Sequence, residues 1–88
     1  MRLPVNMQVA ISLSRPVADL APWSEGINAY DDAQFTLYLR LLDAISAKAT
    51  EAEICVVLLG IDPQKEPARA QACFRSHLDR ARWLLRGE

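Results

Sequence analysis

Few side chains in this chain could carry chemistry, and their spacing argues against each familiar use. His77 is the only histidine, so no second imidazole is there to share a metal or relay a proton. Cys55 and Cys73 lie 18 positions apart, in none of the close pairs that zinc sites use. They read as buried free thiols rather than as a disulfide. Asp31 and Asp32 are adjacent carboxylates just ahead of a helical pattern, which suits capping better than a catalytic dyad. The chain has no G-x-S-x-G and no phosphate-cradling glycine loop. The expectation is a protein that is not an enzyme and that uses no metal or cofactor.

What remains is charge and aromatic surface. Residues 1–67 carry five basic side chains against nine acidic ones, a balance of −4. Residues 68–88 carry five arginines against Asp79 and Glu88, a balance of +3. A DNA-binding domain is usually basic throughout, and this chain has a net charge of −1. Its one candidate for a phosphate-facing surface is therefore the C-terminal stretch. Two tryptophans, Trp23 and Trp83, complete the set of candidate recognition residues.

The elements that must position these groups are helical. Residues 68–86 read as a long amphipathic helix. Phe74, Leu78, Ala81 and Leu85 centre its apolar face, with Ala70, Cys73, His77 and Leu84 beside them. Arg75, Arg82 and Arg86 fall on one flank, and Arg69 and Arg80 on the other. His77 borders the core and reads as a hydrogen-bonded packing residue. Trp83 lies off the core stripe, and two roles are open to it: an interface anchor, or packing on the N-terminal segment. Before this helix, Thr50-Glu51-Ala52-Glu53 matches the capping box. It opens a short helix that is expected to be fully buried over Ile54 to Leu59 and stopped by Gly60. Residues 61–67 hold two prolines and cannot be helical throughout. Two helices joined by a turn form the skeleton of a helix-turn-helix, but this turn is long and acidic.

Upstream, a helix is expected over about residues 32–48, capped by Asp31 or Asp32. Phe35, Tyr38, Leu39, Leu42 and Ile45 share one face, and Leu37 and Leu41 widen it. The wide stripe suggests contact on two sides: Leu37 and Leu41 serve either the core, the favoured account, or a partner beside Arg40. Pro22, Gly26 and Asn28 mark a loop whose Trp23 is expected to plug the core, with recognition as the alternative. Ser14 and Pro16 could start a short helix through Leu20. Leu3, Val5, Met7, Val9, Ile11 and Leu13 alternate as a half-buried strand would. No partner strand is evident, so strand, extended arm and short helix all stay open for that segment. The fold class expected is mainly α: a small helical bundle containing an extended-turn helix-turn-helix, with an irregular or extended N-terminal segment. The 88 residues form one domain, with a segment over 1–30 and a helical core over 31–87. No apolar run approaches the roughly 18 residues that span a membrane, and no secretory signal follows Arg2, so a cytoplasmic location is expected.

One ordered set of residues resembles a known family. It runs Tyr38-Leu39-Arg40-Leu41-Leu42-Asp43-Ala44, Glu53-Ile54, and Val57-Leu58-Leu59-Gly60-Ile61-Asp62-Pro63. Glu66-Pro67, Arg69-Ala70, the run from Ser76 to Trp83, and Arg86-Gly87 follow. In order and spacing this resembles the proteobacterial domain of unknown function 2285, over about residues 30–87. That family includes RovC-type DNA-binding domains and QseM-type antiactivators of mobile-element transfer. The resemblance implies an extended-turn helix-turn-helix. Fuller members are transcriptional activators with an N-terminal partner domain and a basic DNA-binding surface. Stand-alone members look like antiactivators that occupy that partner domain in place of the activator's own copy of the fold. The expectation for this chain is a stand-alone member without such an N-terminal domain. The chain also stops after Arg86-Gly87, where the family commonly continues.

Charge separates the two roles. In a DNA-reading helix the first turns meet the bases, and here only Arg69 and Gln71 could do so. Asp62 and Glu66 guard the approach, with Glu51 and Glu53 on the preceding helix. Each carboxylate near a phosphate adds repulsion. The expectation is an antiactivator whose partner is the N-terminal domain of a related activator, with DNA binding weak or absent and a monomeric free state. Trp23, Leu37, Arg40, Leu41 and Trp83 are the candidate partner-binding residues. The alternative is a DNA-binding regulator using Arg69, Gln71, Arg75 and Arg82.

Overall fold

The computed structural model describes residues 17–87, which form a helical bundle with no strand among them. The alternating segment over residues 3–13 lies outside the described residues, as do Ser14 and Pro16. Residues 17–20, the rest of the expected short helix, are not helical and bend at Asp19 and Leu20.

Helix α1 spans Ala29–Ala33 and α2 spans Phe35–Ser46. They replace the single expected helix over residues 32–48, which begins earlier and breaks at Gln34. The cap is Asn28, not an aspartate: its side chain accepts from the Asp31 N–H, and the Asp31 carboxylate accepts from the Asn28 N–H. This is a capping box built from Asn and Asp, so Asp31 sits in the first turn. Helix α3 spans Glu51–Ile54 and carries the expected Thr50/Glu53 capping box, with contacts of 2.8 and 3.1 Å. It runs on as a π-helical turn over Cys55–Leu59 and ends at Gly60, whose φ of +72° is the left-handed stop expected of glycine. Helix α4 spans Pro67–Arg86, with Pro67 in its first turn. The turn between α3 and α4 is held by Asp62, which accepts from the Gln64 N–H through its side chain and from the Lys65 and Glu66 N–H groups through its carbonyl.

The core lies where α2, α4 and the α3–π segment meet. Tyr38, Leu41, Ile54, Cys55, Leu59, Ile61, Ala70, Cys73, Phe74, Leu78 and Ala81 are buried there. The apolar face of α4 is the expected one. That of α2 is turned toward Leu37 and Leu41, leaving Phe35 and Leu39 about half exposed, at 48% and 47%. Tyr38 points inward as expected, and its hydroxyl donates to buried Asp31 at 3.1 Å. The α3–π segment is likewise not fully buried: Val56 and Val57 stay exposed, because a short segment laid across two helices can bury only one of its faces.

Candidate functional site

A strap formed by residues 18–26 runs along one flank of α4 and decides what that helix can present. Asp19 meets Arg69 at 2.8 Å. The Ala18 carbonyl accepts from the Cys73 thiol, and the Ala21 N–H donates to the Ser76 hydroxyl. Further along, Arg80 closes the strap. Its Nε and Nη2 grip the Asp31 carboxylate at 3.0 and 2.6 Å. Its Nη1 donates to the Ser24 carbonyl at 2.6 Å, and Nη2 to the Gly26 carbonyl at 2.8 Å. The Arg80 side chain is fully buried and Asp31 nearly so. Burial works against the Asp31 charge, but the guanidinium, the Asn28 N–H and the Tyr38 hydroxyl outweigh it and hold its carboxyl below the usual carboxylate range. The wheel of α4 put Arg80 on an outer flank. The structure makes it the bolt that ties α1, the loop and α4 together.

His77 anchors the start of the same strap. Its Nδ1 lies 2.7 Å from the Cys73 carbonyl, which can only accept, so Nδ1 carries the proton. Nε2 then accepts from the Tyr30 hydroxyl at 2.7 Å, and Tyr30 accepts from the Ala18 N–H at 2.9 Å. Burial lowers the pKa of His77, and the bond to the Cys73 carbonyl offsets only part of this. The histidine is therefore neutral, completely buried and satisfied, as the packing assignment expects. Both cysteines are buried free thiols. Burial raises both their pKa values, that of Cys73 to about 11, so neither is a thiolate at neutral pH. Among the described residues no cluster of three His, Cys, Asp or Glu could hold a metal. No helix among them is long and apolar enough to cross a membrane.

The two tryptophans meet over the strap. Trp23 and Trp83 have ring centroids 5.4 Å apart and planes tilted by 53°. Both lie over the Arg80 guanidinium, at 4.9 and 4.7 Å. Trp23 does not plug the core: it is 58% exposed, because the space beneath it holds a guanidinium rather than an apolar gap. Trp83 is half-buried against it. Of the other candidate partner residues, Arg40 is exposed and Leu37 is half-buried against the core. Leu41 is completely buried and is a core residue, so it has no surface to offer a partner. Phe35 and Leu39 hold the exposed apolar positions of α2 instead.

At the N-terminal end of α4 the one cation is paired. Arg69 is held by Asp19 and by Glu66, the latter at 3.1 Å. Glu51, Glu53, Asp62 and Glu66 are all exposed. Glu53 keeps a depressed pKa through its bonds to Thr50. Gln71 and Arg75 are exposed and Arg82 is half-buried, and among the described residues no ion pair holds Arg75 or Arg82. No protein-family model matches the chain, and no curated protein matches it.

Proposed function

We propose that this protein is an antiactivator. It binds the partner domain of a related transcriptional activator, in place of that activator's own copy of the fold, and so blocks transcription of conjugative-transfer genes in the cytoplasm. The observation that carries the reading is the state of Arg69. It is the one cation in the first turns of α4, and two carboxylates already hold it. A phosphate or a base edge would have to displace both, against the repulsion of Asp62 and Glu66. The resemblance over residues 30–87 supplies the partner class. The paired indoles of Trp23 and Trp83 supply a rigid aromatic anchor of the kind that dominates protein interfaces. Co-expression with an activator of the resembling family and co-purification tests this. A complex at micromolar concentrations supports it, and no complex there removes it.

A second reading, direct DNA binding, draws on one observation. Gln71, Arg75 and Arg82 lie on one face of α4, and the two arginines have no ion-pair partner among the described residues. A gel-shift titration at low and moderate salt decides it: a steep salt dependence supports DNA binding, and no shift at low salt eliminates it.

A further inference from the structure

Beyond the strap, the C-terminal half of α2 and the α3–π segment enclose an open groove of about 430 Å³. Its apolar lining comes from Ala44, Ala47, Ala49, Ile54, Val57 and Leu58. The groove exists because the α2 wall and the following turn carry alanines, whose short side chains leave room. Lys48, with φ of +66°, turns the chain back so that α3 forms the second wall. A volume of this size takes a few side chains of a partner. Val57, on the outer edge, is 77% exposed, and Val56 beside it is 55% exposed.

The charged lining residues are Asp43 and Glu53 against Arg40. None of the three is in an ion pair among the described residues. One Glu53 oxygen caps α3 through the Thr50 N–H, so that carboxylate is fixed in place. The groove is therefore lined by apolar side chains together with a charged set that is acidic on balance. Its complement is an apolar ridge flanked by cations.

We propose that this groove docks an amphipathic helix of a partner protein, with apolar side chains at i, i+3 and i+4 seated between α2 and α3 and a Lys or Arg beside them facing Asp43 and Glu53. The proposal rests on the protein-binding reading above and names a docking surface for it, apart from the Trp23–Trp83 platform.

The test uses a random 16-residue peptide display library selected on the full-length protein. The most enriched peptide is synthesised and titrated into isotope-labelled protein. Selected sequences should share helical apolar spacing with adjacent Lys or Arg. Their addition should shift the amide signals of Ala44, Ala47, Val57 and Leu58. Val57→Asp, a change at an exposed position that leaves the core intact, should weaken binding at least tenfold. Asp43→Lys should weaken it about fivefold and should relax the preference for basic peptides. Peptides that bind with the shifts confined to Trp23 and Trp83 overturn the groove and leave the protein-binding reading standing. Acidic selected sequences, or full affinity in both variants, also overturn it. So does a concentration-dependent shift of the same groove amides in protein alone, which assigns the groove to a second copy of this chain.

Discussion

Replacing Arg80 by methionine should remove a large part of this protein's stability, although a helical wheel places that residue on a flank of α4. Methionine keeps most of the side chain's length and apolar stem while deleting five hydrogen bonds. The Asp31 carboxylate, only 3% exposed, would keep its charge with the Asn28 N–H and the Tyr38 hydroxyl as its remaining donors. The Ser24 and Gly26 carbonyls would lose their guanidinium partner as well. Removing one member of a buried pair costs about 3–5 kcal/mol, largely the penalty of the stranded charge. A domain of this size has a total stability of roughly 5–15 kcal/mol, so half of it could go. The midpoint of thermal unfolding should fall by more than about 12 °C, at about 4 °C or more for each kcal/mol. The double variant Arg80→Met/Asp31→Leu removes the stranded charge and should recover a large part of the loss. Urea unfolding followed by far-ultraviolet circular dichroism is the assay, since both tryptophans lie against Arg80 and their fluorescence would report the mutation itself. A loss under about 1 kcal/mol for Arg80→Met, or a double variant no better than the single one, would refute the reasoning.

Three further outcomes follow from the same structure. Stability should fall as the pH drops below about 6.5, because His77 has a lowered pKa in the folded state and the unfolded chain takes up the proton first. A second loss should begin below about pH 4, where the unfolded Asp31 carboxyl protonates before the folded one. Urea midpoints at pH 7, 5 and 3 measure both, and His77→Phe should flatten the first step alone. Thr50→Ala removes one half of the α3 capping box and should cost about 1 kcal/mol in the same unfolding assay. Trp23→Ala exposes one face of the Arg80 guanidinium yet leaves its hydrogen bonds in place, so it should cost about 1 kcal/mol of stability while weakening the activator complex at least tenfold in a binding titration.

Local signals carried much of the fold. The Thr50/Glu53 box, Gly60 and Pro67 each act within one turn of the chain, and each marks the boundary that it should. The apolar face of α4 was legible for the same reason: one long helix packs on one side. On α2, Tyr38, Leu41, Leu37, Leu42 and Ile45 face the core as their spacing predicts, and only Phe35 and Leu39 of the expected stripe are left exposed. Asn28 was passed over as a cap because two aspartates follow it, although Asn-x-x-Asp is a capping box in its own right. Arg80 was missed altogether. An arginine is buried only when it is paired and hydrogen-bonded, and its acceptors come from residues 24, 26 and 31, some 50 positions away. In the candidate site, Leu41 is in the core, as the favoured account of α2 has it, and Arg69 is paired with Asp19 and Glu66.

The central claim is that a helix-turn-helix scaffold serves protein binding here because the one cation at the N-terminal end of α4 is paired. It is tested most directly by titrating the purified protein, side by side and at low salt, against promoter DNA and against the N-terminal domain of a related activator. The account predicts a complex with the activator domain at micromolar concentration and no retarded DNA. Retarded DNA with a steep salt dependence, and no complex with the activator domain, would contradict it.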